Sequence, residues 1–579
     1  MTRTRSSWVR LLLLATVLAL VAAACSSSET TETTAGGTDT TAGSSDTTAP
    51  GTDTSEPAAG DEKTVLQTVM SEEATDLNPL TTGQQGKGHV FQAIFNPLLM
   101  TDNEKNIIST ILETWETSPD ATMATLTLKE GVQWSDGTPM TAEDIRFSLQ
   151  AYLNNNISNW AARIKGPVGQ EEYVNGEADT IVGLRVIDDR TIEIDLVSSD
   201  AAWLPNLAAL AEDLPILPSH VLGDLAPTEL LESDYFRTFP VTSGPYKFVE
   251  FVEGQYVQLE RNENWFGGTA YFEQVFMRIV STDVMSAQLE AGEIDFMFAV
   301  DPADVERISS LPGIEVGSAT GIAPELWSLM HDDGSLDVRV RQAMLFAIDR
   351  VSICQQAMAG YCSTPITNIR QIAPEWAIPT PEQYPDMIEY HYDPDRAREL
   401  LAEAEADGAW DPNTELIFYH RPGRSYVDTA IAIAQAQMAE VGINWTIINT
   451  DTGGLIDAIR EQPIGTLDGF WVSGADFTVD PSAVQTYTTC ETARTGANLI
   501  SYCRPELDEL WAAGRATAVQ EERQEIYHEA FRFLNQDPAE IYLYIVDAIV
   551  AYDERLKGIK PHGGVGSPFW NIGEWYWEE

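Results

Sequence analysis

The most constraining feature of the 579-residue chain is a succession in its C-terminal half. Glu415 to Tyr419 reads as an apolar strand, Val427 to Glu440 as a helix rich in Ala and Ile, Gly442 as its stop, and Ile443 to Ile448 as a second strand. A strand, helix and strand in this order form a βαβ unit. Such a unit requires a parallel sheet with helices covering it.

The rest of the chain fits an α/β fold. Thr64 to Val69 carries the β-branched pattern of a strand, and Leu77 to Gln85 is turn-rich. Ala124 to Lys129 alternates as a strand and runs into the turn Ser135-Asp136-Gly137-Thr138-Pro139. Thr141 with Asp144 three residues on is the start signal of a helix through Ile145 to Leu149. Asp337 to Met358 and Pro394 to Glu405 read as helices, and Tyr246 to Leu259 and Ile541 to Tyr552 as longer strands. A body this long exceeds one ordinary core, so at least two lobes are expected.

The N-terminus belongs to export rather than to the fold. Arg3, Arg5 and Arg10 precede an apolar run, Leu11 to Ala23, that is shorter than the roughly 20 residues needed to cross a bilayer. Residues 1–24 are therefore expected to be a signal peptide. Ala22-Ala23-Ala24-Cys25 resembles a lipobox, with Ala22 where Leu is preferred, which implies cleavage before Cys25 and its lipidation. Residues 25–61 are almost wholly Ser, Thr, Gly, Ala, Pro, Asp and Glu, without an aromatic residue; they are expected to be a disordered tether with a reach of about 30 Å.

The formal charge of −55 would repel nucleic acid and anionic lipid head groups, so no nucleic-acid partner is expected. Four cysteines remain besides Cys25, an even number in an exported chain, which suggests two disulfides among three possible connectivities. Sequence-local pairing, Cys354 with Cys362 and Cys490 with Cys503, is the simplest. No cysteine spacing or His cluster points to a metal, and no cofactor motif is present.

The segment Leu128-Lys129-Glu130-Gly131-Val132-Gln133-Trp134-Ser135-Asp136-Gly137-Thr138-Pro139, continued through Thr141-Ala142-Glu143-Asp144 to Ser148, resembles the signature of family 5 extracytoplasmic solute-binding proteins, the dipeptide- and oligopeptide-binding group. It is joined by Asn96-Pro97-Leu98-Leu99, Val241-Thr242-Ser243-Gly244-Pro245-Tyr246, Leu289 to Asp295, Val338 to Met344, Ala347 to Arg350 and Met438 to Ile443, all in the family's order. The resemblance implies a type II periplasmic-binding-protein-like architecture, two lobes with a hinge plus an accessory domain. It assigns 62–103, 236–330 and 551–579 to the first lobe, 104–235 to the accessory domain and 331–550 to the second lobe.

The resemblance also implies a site. A peptide-capturing protein needs a cation for the ligand's carboxylate and an acid for its ammonium. In dipeptide-binding relatives an Arg-Pro pair after a second-lobe strand meets the carboxylate, which makes Arg421, in His420-Arg421-Pro422, the candidate here. An Asp in a Trp-containing loop binds the ammonium; Asp476 is the candidate, in a loop longer than the pattern, with Asp480 competing. Trp471 is a pocket-lining candidate, and Thr82, Gly83 and Gln84 match the first-lobe loop that faces the ligand.

Gly83 to Lys87 is not a phosphate loop, since Lys87 is followed by Gly88 and the glycine spacing is wrong. Neither H-e-x-x-H nor G-x-S-x-G occurs. The expectation is a non-enzymatic, monomeric substrate-binding lipoprotein on the extracytoplasmic face of a bacterial membrane. It captures short peptides and delivers them to an ABC permease with its ATPase subunits. The alternatives are the same role with a sugar or metal chelate, or a surface hydrolase.

Overall fold

The βαβ unit forms as its pattern requires. Strands Glu415–His420 and Asn444–Asn449 pair in parallel, and helix Ser425–Glu440 crosses between them. Val427, Ala430, Ile431, Ala434 and Met438, spaced by three and four, are its buried stripe. Gly442 ends it in the left-handed region at φ 93, where its N–H reaches Ala439 O and the Ile443 N–H reaches Met438 O at 3.0 Å. This is the Schellman arrangement that only glycine adopts without strain.

The computed structural model describes residues 63–70, 76–81, 85–321, 324–331, 336–365, 376, 378–461, 467–473, 479–493, 498–564 and 568–578. All belong to one unit, Glu62–Glu579. The expected signal peptide, Cys25 and the expected tether lie outside the described residues.

The two strands join a mixed six-stranded sheet in the order Cys362–Ser363, Glu540–Val546, Pro324–Leu329, Gly469–Ser473, Glu415–His420, Asn444–Asn449. A second sheet pairs Val65–Met70 in parallel with Gln274–Ile279, followed by Tyr256–Arg261 and Tyr246–Val252. A third, antiparallel sheet holds Leu112–Thr117, Met123–Leu128, Thr191–Asp195 and Leu184–Val186. In helix Ala142–Tyr152 the Asp144 carboxylate accepts the Thr141 backbone N–H at 2.7 Å, as the start signal requires.

A three-stranded sheet, Phe296–Met297, Ala548–Asp553 and Ile314–Ala319, is continuous with the six-stranded one through two chain connections. Ile314–Ala319 runs on to Pro324–Leu329, and Glu540–Val546 runs on to Ala548–Asp553, so one antiparallel pair is handed from one sheet to the other. Asp547 is the single residue between the last two strands. The expected long strand Ile541 to Tyr552 is thus two strands in two sheets.

Two further expectations change. Tyr246 to Leu259 is a hairpin, Tyr246–Val252 and Tyr256–Arg261, turning at Gly254 with φ 70. Asp337 to Met358 is two helices, Val338–Ala347 and Arg350–Met358, because Asp349 accepts the Ser352 N–H at 2.9 Å and starts the second as its cap. Both local cystine pairings are present, Cys354 with Cys362 and Cys490 with Cys503, at Cα separations of 5.9 and 4.5 Å. No helix among the described residues is long and apolar enough to cross a membrane.

Candidate ligand-binding site

The six-stranded sheet collects polar side chains at one edge. Strand Gly469–Ser473 runs parallel to Glu415–His420 and antiparallel to Pro324–Leu329, pairing Trp471 with Trp327 and Ser473 with Glu325. His420 at the end of its strand, Trp471 and Glu325 therefore share that edge, where the connections to the three-stranded sheet arrive. Carboxyl ends of parallel strands are the usual ligand position in α/β sheets.

Glu325 stands in a strand whose six residues are all buried, and its side chain is 3% exposed. An acid there needs a cation. Arg424, at the cap of helix Ser425–Glu440, supplies it, with Nη1 at 3.3 Å from Glu325 Oε1. The Arg424 guanidinium also lies 5.8 Å from the Trp471 ring centroid. The His420 ring meets Trp471 edge-on at 5.4 Å, and its Nε2 is 2.7 Å from Asp428 Oδ1. Ser425 Oγ donates to Asp301 Oδ2 at 2.6 Å, which joins the helix start to the chain beside the three-stranded sheet. Burial pushes the Tyr426 and Tyr544 hydroxyls above their usual range, so both stay protonated. Tyr544 Oη, Trp471 Nε1 and His420 Nδ1 are buried without a hydrogen-bond partner among the described residues. The edge thus holds a carboxylate and a guanidinium that neutralise each other, with buried donors beside them.

Arg421 leaves the end of the strand at this edge and is exposed. Trp471, expected to line a pocket, is 4% exposed and packs in the core under the sheet, with one face toward Arg424. Asp476, Thr82, Gly83 and Gln84 lie outside the described residues. The competing Asp480 is committed elsewhere: it is fully buried, receives Arg523 Nη2 at 2.6 Å, and accepts the Ser482 N–H at 3.0 Å as a helix cap.

Glu325 and Arg424 were not foreseen. Their signals were an acid inside an otherwise apolar strand and an arginine immediately before a helix. Lys87, excluded as a phosphate ligand, is 2% exposed and donates to Asn78 O at 2.8 Å and Thr81 Oγ1 at 2.9 Å. It thereby fixes the turn that precedes Thr82. No group of three or more His, Cys, Asp or Glu among the described residues is placed to hold a metal.

Residues 106–494 match the profile of bacterial extracellular solute-binding proteins, family 5 Middle, and the chain belongs to that family. It is 23% identical over 518 residues to the oligopeptide-binding protein AppA of Bacillus subtilis, covering 87% of this chain and 90% of the relative. The ABC transporter substrate-binding protein CtaP of Listeria monocytogenes superposes with a TM-score of 0.76 at 22% identity, over 90% of this chain and 100% of the other. NikZ of Campylobacter jejuni, solved with Ni(L-His), superposes at 0.68 and 22% identity over 89% and 99%. The fold is the two-lobed type II binding-protein fold.

Proposed function

We propose that the protein is the substrate-binding lipoprotein of an ABC importer, anchored through Cys25 by a signal spanning 1–24 and a tether spanning 25–61. It captures short peptides between its lobes and delivers them to a permease served by ATPase subunits. The first lobe comprises about 62–103, 236–330 and 551–579, the second 331–550, and the accessory domain 104–235. Arg421 receives the peptide carboxylate, Asp476 the ammonium, and Thr82, Gly83 and Gln84 face the ligand from the first lobe, with Trp471 backing the pocket.

The observation that carries this reading is the convergence of Glu325, Arg424, His420 and Trp471 at the carboxyl edge of the six-stranded sheet, where Arg421 leaves its strand. The relative of the same family named for oligopeptides supports the ligand class. No chemical step is assigned to the protein; the solute leaves as it arrived.

Calorimetry with a free, a C-amidated and an N-acetylated tripeptide tests the assignment. Losing one partner of a desolvated charge pair costs about 2–5 kcal/mol, so Arg421→Ala should weaken the free peptide strongly and the amidated one little. Asp476→Ala should do the same toward the acetylated peptide. Wild-type affinity in both variants refutes the roles. A second reading keeps the fold and exchanges the peptide for a metal chelate, as the NikZ complex with Ni(L-His) exemplifies. Equal affinity for free and end-blocked peptides would favour it.

A further inference from the structure

A cavity of about 140 Å³ lies between the segment around Phe91–Thr101 and the helix Trp203–Ala209 with the turn after it. None of Glu325, Arg424, His420 or Trp471 lines it. Its walls are mainly carbon, with Phe91, Phe95, Trp265 and Trp570 as aromatic members. The two indole N–H groups are turned into the protein, Trp570 Nε1 to Lys560 O at 2.9 Å and Trp265 Nε1 to Asn96 Oδ1 at 3.4 Å.

Most polar groups on the walls are already engaged. Asn96 Nδ2 donates to Ser243 O. His562 accepts the Gly564 N–H at Nδ1, 2.9 Å, and its Nε2 lies 3.1 Å from Thr101 Oγ1. Glu212 is among the lining residues, and its carboxyl receives Gln92 Nε2 at 3.2 Å through one oxygen. Burial first, and then neighbouring Asp213, shifts its pKa upward. A water molecule wants two to four polar partners, and an apolar cavity of roughly 150 Å³ holds a benzene-sized guest.

We propose that this cavity is a second ligand site, for one small uncharged ring-bearing molecule with a single hydroxyl or carbonyl, its ring among Phe91, Phe95 and Trp265 and its oxygen hydrogen-bonded to the Glu212 carboxyl. The site is independent of the peptide reading, because its walls and its ligand chemistry are separate from those of the sheet edge.

Calorimetry of the purified full chain with phenol, toluene and benzylammonium tests it. Phenol should bind at one site with a Kd of roughly 0.1–1 mM, toluene about tenfold more weakly, and benzylammonium not measurably. Glu212→Gln keeps the shape and a donor, so phenol binding should stay within about threefold. Ala209→Phe fills the cavity and should cost more than about tenfold in phenol affinity. A crystal soaked in phenol decides the place even if that variant fails to fold. Phenol density in the cavity supports the site. An empty cavity, no phenol binding in solution, or benzylammonium binding more tightly than phenol overturns it.

Discussion

Gly321 packs against the backbone carbonyl of Val546, so closely that a β-carbon on Gly321 would overlap that oxygen. The contact sits where the two connections between the three-stranded and six-stranded sheets run side by side. Backbone approach of this kind is what a missing side chain allows. Gly321→Ala should therefore force the connections apart and destabilise the protein by about 1–3 kcal/mol. Urea unfolding checks this; an unchanged midpoint would show that the connections can spread without cost.

Asp480 and Arg523 form a buried pair, with side-chain exposures of 0% and 5%. Removing one partner of such a pair leaves an uncompensated charge and costs about 3–5 kcal/mol. Asp480→Ala should show that loss in thermal unfolding, while the folded variant binds peptide within about threefold of wild type. Asp476→Ala should do the reverse. A large affinity loss with unaltered stability for Asp480→Ala would make Asp480 the ammonium anchor.

The disulfides Cys354–Cys362 and Cys490–Cys503 close short loops, with sequence separations of 8 and 13. Loop-closure entropy predicts about 2–3 kcal/mol from each. Scanning calorimetry should show the melting temperature falling on reduction, and falling in part in each of Cys354→Ser and Cys490→Ser. A reduced protein that melts with the oxidised one would refute the contribution.

His89 is buried between the rings of Phe298 and Phe569 at 4.7 and 5.5 Å, and burial lowers its pKa from 6.5 to about 3. In this window the unfolded chain binds the proton and the folded one does not, so stability is lost as pH falls from 6.5 toward 3. The slope from one such group is about 1.4 kcal/mol per pH unit. Asp213, raised to about 6 first by burial, contributes the opposite sign over the upper part of that range. The comparison must therefore be between variants: unfolding free energies from pH 7 to 4 should fall less steeply in His89→Leu than in wild type. Parallel curves would contradict the buried neutral imidazole.

The sequence made the local elements of the fold legible where chemistry is local. The helix start at Thr141 and Asp144, the Gly442 stop and the apolar stripe from Val427 to Met438 each depend on residues within one or two turns. The breaks at Asp349 and Asp547 were not read, because an acid inside a periodic pattern looks like a solvated face until its backbone partner is known. The site divides in the same way. Arg421 is a candidate that the family resemblance supplies, whereas the pairing of Glu325 with Arg424 joins residues 99 apart in sequence and exists only once the strand and the helix start meet.

The most direct test of peptide capture is mass spectrometry of what the native protein carries. Protein purified without denaturation from its own cell envelope, then unfolded in acid, should release unmodified peptides a few residues long in near-stoichiometric amount. The chain left behind should begin at an acylated Cys25. A sugar or a metal chelate in place of peptides would contradict the central claim, as would consistent cleavage products of a peptide supplied intact.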